Sequence, residues 1–201
     1  MLGHEGVVRS FVTSAQHRLP AVIERLRTYL NTIEGTEPAD ELTLPVPEAE
    51  NIHPTYVNLV SVGDFPAIMV TVEDTEIRNA TRMISADGFW NEYEFRYPLR
   101  VLLYTMGGDG QHGLVELQRQ RLMLALRTLA LQYPVLFDDG EESAQIVPET
   151  IRENFTGGEY DGDNNLLLES YIRFEVLTRE RLQIAPEPAE QISITHSEHL
   201  L

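Results

Sequence analysis

From Val8 to Ile33 apolar residues recur at three- and four-residue steps: Val8, Phe11, Val12, Ala15, Leu19, Val22, Ile23, Leu26, Leu30 and Ile33, with Arg9, Gln16, Glu24 and Arg27 between them. That period predicts a helix. Pro20 interrupts it, so either the helix kinks there or a second helix starts at Pro20, where a missing N–H is harmless. From Thr55 the period becomes two. Residues 55–62 and 65–73 are rich in valine and isoleucine and predict two strands, joined at Gly63-Asp64 by a tight turn in which glycine supplies the positive φ. A third strand follows, in which Tyr93, Phe95, Tyr97, Leu99, Val101 and Leu103 alternate with Glu94, Arg96, Pro98 and Arg100. One face is core and the other wet, as in an antiparallel sheet. Pro98 cannot donate to a ladder and predicts an edge position or a bulge.

A second helix is predicted over 113–132, with Val115, Leu122, Ala125, Leu126 and Leu129 on one side and Leu117, Leu124 and Leu131 widening the stripe. So wide an apolar surface needs cover from two directions, the sheet on one side and another helix or a neighbouring subunit on the other. Two more strands, 145–155 and 166–179, flank a Gly- and Asp-rich loop, 156–165. Residues 184–201 carry Pro186 and Pro188 and little periodicity, which predicts an extended or disordered tail. The expectation is a single α+β domain over 1–183, of order α-β-β-β-α-β-β. A mainly antiparallel sheet of about five strands would carry the helices on one face.

Composition adds a charge problem. The 201 residues include 32 acidic and 15 basic side chains, for a formal charge of −17, and no cysteine. All the basic residues are arginine, which fits a GC-rich coding bias. The missing cysteines exclude disulfides, thiolate metal sites and cysteine nucleophiles. The charge excludes gripping nucleic acid by phosphate neutralisation. No run approaches the roughly 18 apolar residues of a membrane span, and the first residues lack a signal-peptide pattern, so the reading is of a soluble protein without membrane contact. The acids are segregated. Residues 34–51 hold six acids, three prolines and no base, the signature of a solvated, mobile loop inserted in the domain. Asp138, Asp139, Glu141 and Glu142 form a second cluster and Glu159, Asp161 and Asp163 a third. The helices are net basic, through Arg25 and Arg27 in the first and Arg119, Arg121 and Arg127 in the second. A basic helix face meeting an acidic loop of another copy would register a homo-oligomer, which makes these arginines candidate subunit contacts.

Catalytic motifs are weak. Gly108-Asp109-Gly110-Gln111-His112-Gly113 is a literal G-x-G-x-x-G between a strand and a helix, as in dinucleotide-binding proteins. A hairpin precedes it and a β-β pair follows, rather than a parallel βαβ unit, so a plain glycine-rich connection is the stronger reading and a nucleotide-binding enzyme the alternative. Asp161, Asp163 and Asn165 start like a calcium loop, but Leu166 and Ile172 stand where it needs Gly and Glu. A hairpin tip is the simpler assignment. The six histidines show no metal-ligand spacing, and neither a cofactor nor a metal is expected.

The order of elements resembles a known family. The Leu19-Pro20 step in the first helix, an early hairpin, the strand from Tyr97 to Tyr104, the leucine- and arginine-rich helix over 117–131 and the closing strand from Tyr171 to Val176 together are similar to the tail-terminator, or tail-completion, proteins of long-tailed bacteriophages. The resemblance spans roughly residues 7–181 and rests on pattern and order. It implies a structural virion subunit without enzymatic activity that assembles into a six-membered ring, caps the tail-tube protein and joins it to the neck or head-completion protein. DNA would pass through the ring without specific binding. The acidic clusters would then face the channel and repel phosphate.

Overall fold

The computed structural model describes residues 3–59, 62, 64–85, 88–161 and 164–184, with only the backbone of 79, 81–85, 88–90 and 182–184. The fold is α+β: among the described residues there are two α-helices, one turn of 3-10 helix at Ala49–Asn51 and seven strands. Helix α1 spans Gly3–Leu30 and α2 His112–Gln132. The strands are β1 Ile52–His53, β2 Ala67–Val72, β3 Glu76–Ser85, β4 Gly88–Gly107, β5 Val135–Asp138, β6 Ser143–Tyr160 and β7 Leu166–Ile184. The sheet order is β1-β2-β4-β7-β6-β5, with β3 on β4 beside the end of β2. All pairings are antiparallel except β1 with β2.

Both helices lie on one face of the sheet. Phe11, Leu19 and Ile23 of α1 and Leu122, Leu126 and Leu129 of α2 pack on Ile68, Val70, Leu99, Val101, Leu103, Ile172, Phe174 and Val176, alternate positions that share a face by the pleat. The second side of the wide α2 stripe is met by α1. Pro20 lies inside one continuous helix, so no second helix begins there.

Three strand assignments differ from the sequence reading. Residues 55–59 form no strand. Val57, Leu59 and Val62 instead cover the opposite face of the sheet, against Ala67, Met69, Leu102 and Tyr104, so their apolarity serves burial and not a ladder. The early hairpin among the described residues is β3 with β4, and the turn expected at Gly63 lies outside the described residues. The connections supply two short strands, β1 and β5. Pro98 is at no edge, because β4 runs between β7 and the β2/β3 flank. Its carbonyl accepts from the Glu73 N–H at 2.8 Å, which puts its missing donor on the same side, where the partner passes from β2 to β3. The one bond it cannot give is the return bond to the Glu73 carbonyl, just past the end of β2. The predicted tail beyond Ile184 lies outside the described residues.

Candidate assembly surface

Among the described residues, two stretches of strand edge on opposite flanks of the sheet have no strand partner. β3 pairs with β4 on its inner side, and among the described residues no strand pairs with its outer side. It begins with exposed Glu76, Ile77 and Arg78, Ile77 at 64% exposure. Arg78 is bulged, between the pairs Ile77 with Phe95 and Asn79 with Glu94. On the other flank β5 pairs only with 143–145 of β6, and beyond them the outer side of β6 has no strand partner among the described residues. Phe155 and Tyr160 stand exposed along that stretch. Unpaired edges template strand addition, and native sheets keep them short, charged or bulged unless they are used.

The five candidate subunit-contact arginines divide into two groups, two exposed and three buried within the subunit. Arg25 and Arg127 are exposed. Arg25 donates to the Tyr133 hydroxyl at 3.0 Å, and Arg127 pairs with Glu153 at 3.2 Å. Arg27, Arg119 and Arg121 are buried, at 8%, 8% and 7% exposure. Arg27 donates to the Leu44 carbonyl at 3.1 and 2.7 Å and pairs with Glu24 at 2.6 Å. Arg121 donates to the carbonyls of Pro38 at 3.1 Å and Glu37 at 2.6 Å and to the Thr43 hydroxyl. Arg119 pairs with Glu116 and donates to the Thr156 carbonyl at 2.7 Å. These three guanidinium groups are consumed inside the subunit, because a buried charge must spend its donors on acceptors at hand.

The same contacts hold residues 34–51 against the two helices. Besides the two arginines, Gln118 donates to the Leu42 carbonyl at 2.7 Å and Gln16 to that of Ala49 at 2.9 Å. Asn31 makes a two-way bond with the backbone of Ala39, at 3.1 and 2.7 Å. Leu44 is fully buried in the main core. The acids of the segment point outward while its carbonyls face the helices. The Asp40 carboxylate accepts from the Thr43 N–H at 2.9 Å and hydroxyl at 3.0 Å, and these bonds hold its carboxyl below the usual aspartate range.

The two remaining acidic clusters occupy opposite ends of β6, roughly 55 Å apart for so long a strand. Asp138, Asp139, Glu141 and Glu142 form the β5–β6 turn. Asp138 accepts from the Gly140 N–H at 2.9 Å. Asp139 accepts from the N–H groups of Glu142 and Glu141 at 2.7 and 2.9 Å, which hold its carboxyl below the usual range. This cluster is not wholly free charge, for Arg181 pairs with Glu141 at 3.3 Å and Arg179 donates to the Gly140 carbonyl at 3.2 Å. Glu159 is the last residue but one of β6, and Asp161 opens the β6–β7 tip, where both its oxygens accept from Asn165 at 2.8 Å. Asp163 lies outside the described residues.

The Gly108–Gly113 loop lacks the setting of a dinucleotide site. The strand before it, β4, runs antiparallel to both its neighbours. The glycine expected to pack helix on strand, Gly113, faces open space, while Gly107, outside the motif, fills that role, since an added Cβ would sit 2.3 Å from Val115. Gly110 supplies the turn, at φ +79°. The motif match is a sharp strand-to-helix connection.

Sequence reasoning missed a buried carboxylate. Glu180, fully buried on β7, accepts from the Tyr97 hydroxyl at 2.9 Å and the Thr178 hydroxyl at 3.0 Å. Burial, with Glu180 beside it, pushes the Tyr97 phenol well above its ordinary value. The strict alternation Ile172, Phe174, Val176, Thr178, Glu180 was the available signal. Across the sheet's other face Glu73 binds both Arg100 and Arg173, the latter at 2.7 Å. No known family model matches the chain, and comparison with curated proteins returns no relative.

Proposed function

We propose that the chain is a tail terminator of a long-tailed bacteriophage, a structural virion protein that forms a ring, caps the tail tube and joins it to the neck. One observation carries the reading: a single sheet with open edges on opposite flanks, β3 on one and the outer part of β6 on the other. Such a subunit offers two different, complementary surfaces, and a head-to-tail contact between them repeats until the rotation closes a ring. The α+β architecture with both helices on one face and the element order of the resemblance support it. With β6 along the axis, the two acidic turns would stand at the two rims of the bore and keep DNA from sticking. The exposed Arg25 and Arg127 remain candidate contacts between copies.

Native mass spectrometry of the purified protein, alone and with tail-tube protein, tests the reading. A ring, formed alone or on the tube, is expected. A chain that stays monomeric and does not associate with tube protein refutes it. Particles lacking the protein should show overlong or unjoined tails, whereas heads that leak DNA would assign it to a neighbouring head-to-tail connector.

A further inference from the structure

Between α1 and β5 lies a groove of about 470 Å³, with Arg9, Ser14, His17, Arg18, Leu136 and Phe137 in its lining. Ser14, His17 and Arg18 stand three and four residues apart and so share one side of the helix. Leu136 and Phe137 are both half-buried, and the strand is irregular between Val135 and Phe137, a feature that re-aims side chains at a sheet edge. Although the chain carries a charge of −17, no acidic side chain lines this groove among the described residues. Arg9 is matched by Glu5 at 2.8 Å. No carboxylate pairs with Arg18 among the described residues, and its guanidinium lies over the Tyr133 ring, 4.6 Å from the centroid. Stacking on the ring fixes the cation while leaving the N–H groups of its plane for a carboxylate.

The acidic segment supplies the complement. Asp40 and Thr43 close a tight turn, in which the Leu44 N–H also donates to the Asp40 carbonyl at 2.9 Å. Arg121 and Gln118 hold the backbone on either side of it. At the tip Glu41 and Leu42 are exposed, Leu42 at 62%, and no cation pairs with Glu41 among the described residues. A carboxylate next to an apolar side chain matches a guanidinium next to an apolar wall, in charge and in solvation. Because the turn is already fastened, seating it would order little that is free to move, which lowers the cost of association. The positions also suit a head-to-tail contact. Residues 34–51 lead into β1, the edge strand of one flank, and the groove is bounded by β5, the edge strand of the other, so the two surfaces are different and mutually complementary.

We propose that the Glu41-Leu42 tip of one copy seats in the α1–β5 groove of a second copy, with the Glu41 carboxylate accepting from Arg18 and Leu42 covering Leu136 and Phe137. The contact takes its second copy from the ring reading, and its test separates the two. The chain has no cysteine, so introduced cysteines report directly. Full-length Leu42→Cys and Ser14→Cys chains are mixed and treated with a short bis-maleimide, and each is treated alone. A covalent dimer is expected from the mixture and only traces from either chain by itself. Adding Arg18→Glu to the Ser14→Cys chain should cut the yield about fivefold or more, and Glu41→Arg in the Leu42→Cys chain should then restore it. Restoration is a result that misfolding of either variant would not give. A mixture that links no better than the separate chains, or a yield indifferent to both charge changes, overturns the contact, even where native mass spectrometry finds a ring. Charge-dependent linking by a chain that never closes a ring supports the contact and leaves the ring refuted. Protection of Ser14→Cys from maleimide by tail-tube protein, and not by a second copy, gives the groove to the tube and overturns the proposal.

Discussion

Arg121 is the most exposed to test of the structural assignments, because its position in the chain suggested a surface charge and its environment makes it a buried clamp. It is 7% exposed and is held by two backbone carbonyls and one hydroxyl of residues 37–43. No carboxylate pairs with it among the described residues. In Arg121→Met the stem is kept and three acceptors lose their donor. A hydrogen bond to a charged group contributes about 1.5–3 kcal/mol, and each buried acceptor left unpaired costs about 1–3 kcal/mol. Against this stands the relief of no longer burying a charge. A net loss of about 3 kcal/mol is expected, or a fall in Tm of about 6–12 °C for a chain of this size. Urea denaturation measures the first and calorimetry the second. Arg9→Met is the control, since the Arg9–Glu5 pair is 69% and 77% exposed and such pairs contribute less than about 1 kcal/mol. The loss should be local before it is global. Glu-specific limited proteolysis under native conditions should cut Arg121→Met within 34–51 well before the wild type. A loss below about 1 kcal/mol with an unchanged cleavage pattern refutes the clamp.

Three further outcomes follow from particular contacts. Tyr97→Phe should cost about 2 kcal/mol in urea denaturation, since it leaves buried Glu180 with one donor, and adding Glu180→Leu should recover most of that; a single variant within about 0.5 kcal/mol of wild type contradicts the assignment. Gly107→Ala should destabilise by about 1–3 kcal/mol through its collision with Val115, whereas Gly113→Ala, facing open space, should be neutral or slightly stabilising; thermal melts compare the two, and the reverse order would restore the dinucleotide-loop reading of the glycines. The Asp40 carboxyl is held below its ordinary value by Thr43, so its contribution is complete above that value and is lost as the pH falls through the lowered one. Carboxyl-carbon NMR should place its midpoint below 3.8 in the wild type and nearer to it in Thr43→Ala; equal midpoints contradict the assignment.

The elements that alternate most strictly were legible. The periods of 93–103 and 166–179 identify the two longest strands, and the leucine stripe of 113–132 identifies α2, because in both cases one face is buried and the other wet. The α+β class with helices on one face follows from them. The candidate assembly surface was legible only in part. The acidic turns are where the charge pattern put them, at hairpin ends, since Asp and Gly favour turn conformations and carboxylates stay in water. Arg27 and Arg121 carried a signal that was easy to overlook: Arg27 stands four residues after buried Ile23, and Arg121 four before buried Ala125, so each lies on the inward stripe of its helix.

By itself, then, the sequence determined the type of most elements, the α+β class and the places where charge concentrates, since these depend on period and solvation within short windows. Tertiary structure alone decided that 55–59 covers the sheet instead of joining it, that Pro98 falls where a partner strand changes, and that an acidic loop is fastened by arginines. The reason is physical. The acceptors that hold Arg27 and Arg121 are backbone carbonyls, which every residue carries, so nothing in the order of side chains marks which loop will meet which guanidinium.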